Sequence, residues 1–175
     1  YEKVRQGGQV LAAAVLIACG IDDTGNRDIL DCSVAFSEAE VRWRTFLSDL
    51  KDRGLYGLEL VVSDSHEGLK AARKAVFPSV PWQRCQFHLQ QNAGQYVPKM
   101  AMRTPVAAAI RAIFNAPDQG EVEHLFGKFL KRYEKAAPQL VAWAEEAIPE
   151  GFTVFALPDS HRRKLRTTNL VERLN

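Results

Sequence analysis

Four side chains in this sequence have the type and setting to do chemistry: Asp64, Cys85, His88 and Glu172. Asp64 follows the β-branched run Gly57-Leu-Glu-Leu-Val-Val-Ser63, which predicts a strand. Its carboxylate would then stand at a strand's carboxyl end, where open α/β sheets place ligand and catalytic groups. Asp64-Ser-His-Glu67 also fits a helix N-cap with a capping Glu, and a carboxylate so used needs no further job. Cys85-Gln-Phe-His88 brings a thiol and an imidazole near enough for one metal ion, or for a brace between strand and helix. Zinc takes about four ligands. The chain offers no second C-x-x-C or H-x-x-x-H pair, and His66, His124 and His161 are scattered, which argues against zinc. A Cys–His nucleophile pair lacks an evident orienting group or oxyanion site. Glu172 falls in a predicted helix, between Arg166 and Arg173. Packed near Asp64, it would let two carboxylates share a divalent metal through hard oxygen ligands.

The elements that must hold these residues alternate strand and helix. Val10 to Ile21 and Ile29 to Phe36 predict two strands, joined across Asp22-Asp-Thr-Gly25-Asn as a β-hairpin. Ser37-Glu-Ala-Glu40 has the capping-box pattern. The apolar stripe Trp43, Phe46, Leu47 and Leu50 predicts the helix that follows, with Gly54 as its left-handed stop. The strand before Asp64 leads into a helix marked by Leu69, Ala72 and Val76, closed by Pro78 and Pro81. Trp82 to Phe87 predicts another short strand, feeding a helix through Asn92 to Tyr96. From Thr104 to Ile148 the pattern is helical, punctuated by Pro117, Pro138 and Pro149. A polar basic segment then leads to Thr167, where the first turns of a further helix are expected. The order is β-β-α-β-α-β followed by helices.

A chain of 175 residues that is 46% hydrophobic and 25% charged is a globular domain, not a disordered tail or fibre. The apolar run Val10 to Cys19 is about half the roughly 20 residues of a membrane span. No secretory pattern is visible at Tyr1, and the odd cysteines Cys19, Cys32 and Cys85 argue for a reducing compartment, so a cytoplasmic home is expected. The net charge of +2 conceals an asymmetry. Gly68 to Pro117 holds no acid but carries Lys70, Arg73, Lys74, Arg84, Lys99, Arg103 and Arg111, and Arg162, Arg163, Lys164 and Arg166 form a second basic cluster. Such segregation is the footprint of a polyanion partner, or of a solvated face balanced by neighbours in space.

Three segments in order, Val62-Ser-Asp64-Ser-His-Glu-Gly68-Leu-Lys-Ala, Trp82-Gln-Arg-Cys85-Gln-Phe-His88 and Arg166-Thr-Thr-Asn-Leu-Val-Glu172-Arg-Leu-Asn, resemble the signatures of Mutator-type transposases of bacterial insertion sequences. The resemblance covers essentially the whole chain. It implies an α/β, ribonuclease-H-like fold, a β-β-β-α-β-α-β core interrupted by a helical insertion before the final helix. The order read above fits that scheme with its first strand missing. The implied segments are 1–100 for the sheet core, 101–157 for the insertion and 158–175 for the start of the final catalytic helix. Asp64 matches the second catalytic acid and Glu172 the third of a DDE triad that binds two magnesium ions, with manganese as a substitute.

By the same resemblance Cys85 and His88 match the family's C-x-x-H motif, taken as structural or DNA-contacting rather than metal-binding. The implied partner is double-stranded DNA, both transposon terminal inverted repeats and target. Its contacts would be Lys70, Arg73, Lys74, Arg84, Lys99, Arg162, Arg163, Lys164 and Arg166. The complete protein is expected to be a homo-oligomer, nucleoid-associated when bound to DNA. The family's first catalytic Asp lies a few residues before the segment that Tyr1-Glu-Lys-Val-Arg resembles, so one metal ligand is expected to be missing. Asp22 and Asp23, in the hairpin turn, are poor substitutes. The chain is thus expected to be a fragment, inactive alone. Two other readings stay open: a non-catalytic nucleic-acid-binding module on the same fold, and a structure-specific nuclease.

Overall fold

In the computed structural model, which describes residues 2–6, 8–36 and 39–168, the long apolar run forms β2 (Gln9–Ile21), folded back on β3 (Arg27–Ala35). The pairing is antiparallel, from Ala14 opposite Ala35 to Ile21 opposite Arg27, with a register shift between Ala18 and Cys19. The Asp22 carboxylate closes the turn by accepting from the Thr24 hydroxyl and the Asn26 amide, at 2.7 and 2.8 Å. Those bonds, Thr24's foremost, hold the Asp22 carboxyl below its ordinary value.

Before this hairpin runs β1 (Glu2–Gln6), paired antiparallel with β2 from Glu2 opposite Ala13 to Gln6 opposite Gln9. The expectation of two strands before the first helix is corrected by this element. Glu2-Lys-Val-Arg-Gln6 carries a single apolar residue, so no alternation betrays it. A ladder partner in β2 makes it a strand, where intrinsic preference does not.

The inward face of this sheet, Ala14, Leu16 and Ala35, packs with Phe46, Leu47 and Leu50 of α1 (Glu40–Asp52) and Ala72 of α2 (Glu67–Val76). The expected stripe on α1 is thus its buried face, with Trp43 edge-on to Phe46. The expected capping box is replaced. The N-cap is Ala39, without a side-chain cap, and the Glu40 carboxylate pairs with Arg44. Ser37 lies outside the described residues. Gly54, at φ +99°, ends the helix as expected, with Gly54 N donating to Lys51 O and Leu55 N to Leu50 O. These elements make up one compact unit, the described residues of Tyr1–Leu60 with Ser65–Val80.

The other unit comprises Val61–Asp64 and the described residues of Pro81–Asn169. Here β4 (Val61–Ser63) pairs in parallel with β5 (Trp82–Arg84). Then come α3 (Gln86–Asn92), α4 (Arg103–Phe114), α5 (Gln119–Tyr133) and α6 (Pro138–Ala147), with 3-10 turns at Ile148–Gly151 and Thr153–Ala156, and α7 (Asp159–Leu165). Asp118 caps α5 by accepting from Glu121 N at 2.9 Å, and Pro138 opens α6, where its lack of an N–H costs nothing. One core binds them: Leu89, Ile110, Val122, Leu140, Ile148 and Val154 are each completely buried.

The compact units divide the chain at other places than the segments 1–100, 101–157 and 158–175: β4, β5 and α3 fall in the unit that holds the later helices, and Leu89 of α3 lies in their core. Helix α7 lies in the polar basic segment, ahead of Thr167, where the further helix was expected to begin. Thr167 and Thr168 are not helical, and the rest of the helix expected there lies outside the described residues. Among the described residues, no helix is long and apolar enough to cross a membrane.

Gly151 marks the tightest approach in this core. A Cβ there would fall 2.8 Å from both Leu89 Cδ1 and Phe114 Cε1. Gly151→Ala is expected to destabilise the fold by about 1–3 kcal/mol, the usual cost of overpacking, measured by urea denaturation. An unchanged midpoint would show that the segment can relax.

Candidate active site

Asp64 directly follows β4 and is exposed, whereas Ser63 before it is buried. The Ser63 hydroxyl accepts from Trp82 Nε1 and donates to the Asp64 carbonyl, both at 2.8 Å, and the Ser63 carbonyl accepts from Cys85 N at 2.7 Å. The main chain at Asp64 is clamped from β5 while the residue itself stays open to solvent. The N-cap of α2 is His66, so the cap position does not fall on Asp64.

What fixes β5 is a set of buried polar contacts to the turn between α6 and α7. Gln83 has no exposed surface. Its Nε2 donates to Gly151 O at 2.8 Å and Arg84 O at 3.0 Å, and its Oε1 accepts from Val154 N at 2.9 Å. Gln86 Nε2 donates to the same Gly151 carbonyl at 2.8 Å, and the Thr153 hydroxyl donates to Trp82 O at 2.7 Å. Arg84, its side chain only 11% exposed, pairs with Glu150 at 3.0 Å.

The Cys85 thiol is buried at the start of α3 and accepts from both the amide and the hydroxyl of Thr168, each at 3.4 Å. Burial pushes this thiol up, but hydrogen bonds from His88 and Thr168 outweigh it and bring it down to about 7. Next to it, Gln86 N donates to Arg166 O at 3.0 Å. Cys85 thus touches both Ser63, the residue before Asp64, and Thr168.

The basic residues divide into two groups. Arg73 donates to Val80 O, Arg84 pairs with Glu150, and Arg162 donates to Leu157 O and Pro117 O while lying 5.3 Å over the Phe155 ring. Arg166 donates to Phe114 O and Asn115 Oδ1. Its pKa is lowered by burial and by neighbouring Arg163. Lys70 lies 3.6 Å from Glu67. Lys74, Lys99, Arg163 and Lys164 are exposed.

Asp64 offers the hard oxygen donor that magnesium takes. Among the described residues, no group of three or more His, Cys, Asp or Glu side chains gathers to hold a metal. Glu172, the other acid expected at the site, lies outside the described residues, so of the two expected ligands only Asp64, an oxygen donor of the type magnesium takes, is described. Sequence reading missed Gln83, Gln86, Thr153 and Thr168. The one available signal was the pair of amides, Gln83 and Gln86, at the expected strand-to-helix junction.

A mixed α/β chain with a carboxylate at the end of a parallel strand, braced by a C-x-x-H motif, finds its class in the family described as Transposase, Mutator family. That family matches residues 1–175, and the chain belongs to it. The transposase for insertion sequence element IS406 of Burkholderia multivorans is 57% identical over 175 residues, all of this chain and 45% of that protein. The transposase for ISRM5 of Rhizobium meliloti is 42% identical, again over the whole chain and 44% of its own length. The transposase for IS256 in transposon Tn4001 of Staphylococcus aureus is 35% identical, with 45% of its length covered. The chain thus spans less than half the length of these relatives.

Two outcomes follow from the braces. Gln83→Leu removes one donor from the Gly151 carbonyl and the acceptor of the Val154 amide, and is expected to cost about 1–3 kcal/mol in urea denaturation. Stability equal to the parent would rule out the amide as a tie. The Cys85 thiol titrates lower folded than its ordinary 9.0, so its stabilisation is complete above that value and lost as pH falls through about 7. The stability advantage of the parent over Cys85→Ser should therefore widen between pH 7 and 9. A flat difference would contradict the assignment.

Proposed function

We propose that this chain is part of a DDE-class DNA transposase, with Asp64 and Glu172 as two of its three catalytic acids. The observation that carries this reading is the setting of Asp64, exposed at the end of β4 with its main chain held by Ser63 and, through it, Trp82. The order β1-β2-β3-α1-β4-α2-β5-α3 supports a ribonuclease-H-like core, and α4, α5 and α6 suit the helical insertion. Family membership and relatives named as insertion-sequence transposases support the activity of the complete protein.

In this reading Asp64 and Glu172 hold magnesium, which supplies an activated attacking oxygen and a stabilised leaving 3′-oxygen for in-line phosphodiester displacement. The chain's own contribution is placement. Ser63 and Trp82 keep Asp64 from shifting, which matters because a misplacement of about 1 Å can cost about a hundredfold in rate. The exposed cations Lys74, Lys99, Arg163 and Lys164 suit DNA phosphates, and Arg73, Arg84, Arg162 and Arg166 make contacts within the protein.

The test uses the complete transposase with magnesium and transposon-end DNA. Asp64→Asn and Glu172→Gln should each reduce cleavage and strand transfer to background while end binding persists. Parental cleavage by Asp64→Asn would sink the proposal. Lys99→Ala and Lys164→Ala should each lower the slope of log affinity against log salt by about one, and Arg84→Ala should lower thermal stability instead.

A further inference from the structure

We propose that Cys85 is a positioning residue that ties the neighbour of Asp64 to the segment leading into Glu172. The inference rests on the reading of those two acids as catalytic, and adds a tie between the chain just before Asp64 and the stretch 166–168 that precedes Glu172 in sequence. Residues 166–168 belong to no helix or strand, so their placement depends on contacts made from outside. Those contacts are few and specific. The Arg166 carbonyl accepts from Gln86 N, the Arg166 guanidinium donates to Phe114 O and Asn115 Oδ1, and both donors of Thr168 meet the Cys85 sulfur.

Cys85 works in two directions. Its amide donates to the carbonyl of Ser63, the residue before Asp64, at 2.7 Å, and its sulfur receives Thr168, four residues before Glu172. One buried residue thus references both stretches of chain to the start of α3. The choice of atom has a physical reason. Sulfur is large and polarisable, and here it accepts an amide and a hydroxyl from the same residue, both at 3.4 Å. A serine hydroxyl on a shorter bond reaches one of them well, not both. Groups that hydrogen-bond to metal ligands change metal affinity and rate by about 10- to 100-fold when removed, and a tie on the chain beside a ligand is expected at the low end of that range.

The experiment uses the complete transposase and four variants: Thr168→Val, which deletes one donor at nearly constant shape, Thr168→Ser, which keeps both donors, Cys85→Ala, and the double Cys85→Ala/Thr168→Val. Four quantities are read: hydrogen exchange of the peptide spanning 166–172, thermal midpoint, end-DNA affinity, and the magnesium concentration giving half-maximal cleavage. Thr168→Val and Cys85→Ala should each raise exchange and magnesium requirement about tenfold. The double variant should be no worse than the singles, as for partners in one interaction, Thr168→Ser should match the parent, and end binding should not move.

Unchanged exchange and magnesium requirement in Thr168→Val would overturn the proposal, as would equal impairment of Thr168→Ser, or losses that track the thermal midpoint. If Cys85→Ala does not fold, the Thr168 pair decides alone. Asp64→Asn separates the two ideas. If it cleaves normally the catalytic reading fails, yet the exchange data still judge the brace. If it is inactive while Thr168→Val behaves as the parent, only the brace fails.

Discussion

The side-chain amide of Gln83 is the constraint on which the candidate site rests. Strands β4 and β5 have three residues each, too few to hold together by their own ladder. Gln83 compensates from inside the core. An amide with no exposed surface must have its donors and acceptor met, or it costs more than an apolar residue would. It meets them with two carbonyls and one amide, two of these on the turn after α6. Satisfying that one group fixes β5 in position, β5 fixes β4, and β4 delivers Asp64. Gly151 belongs to the same constraint, because its carbonyl receives both Gln83 and Gln86 while Leu89 and Phe114 leave no room for a side chain.

Much of the scaffold was legible in the residues and much of its fastening was not. The β2–β3 hairpin, the stripe on α1 and helices α4, α5 and α6 each carry a strong period or turn signal, and each forms. Strand β1 carries none, since its residues are polar and its pairing is supplied by β2. Helix α7 was hidden for a related reason: its stretch is polar and basic with no apolar stripe to mark a helix, while Arg162 is held by carbonyls and a ring. Asp64 at a strand end could be read because a short apolar run ends in an acid. Cys85 with Thr168 could not, because a contact between residues 83 apart in the chain leaves no local trace.

The acid-free stretch illustrates how charge counts mislead in a particular direction. An arginine's planar fork can serve carbonyls and carboxylates within the fold, and Arg73, Arg84, Arg162 and Arg166 do so. Lysine is a hydrated point charge with less to offer a buried carbonyl, and Lys74, Lys99 and Lys164 are exposed. A basic cluster rich in arginine is therefore partly structural. The acids that would balance it also need not lie nearby in sequence: Glu150 neutralises Arg84 from 66 residues away.

The distance along the chain between Gln83 and Gly151, 68 residues, has a consequence for how the molecule comes into being. Closing so long a loop costs entropy before any contact rewards it, so the tie forms late. As the polypeptide leaves the ribosome, β4 and β5 emerge well before the turn that secures them. A chain interrupted ahead of Gly151 would carry Asp64 and β5 but not the carbonyl that receives Gln83 and Gln86, so premature termination yields an acid on a loosely held strand.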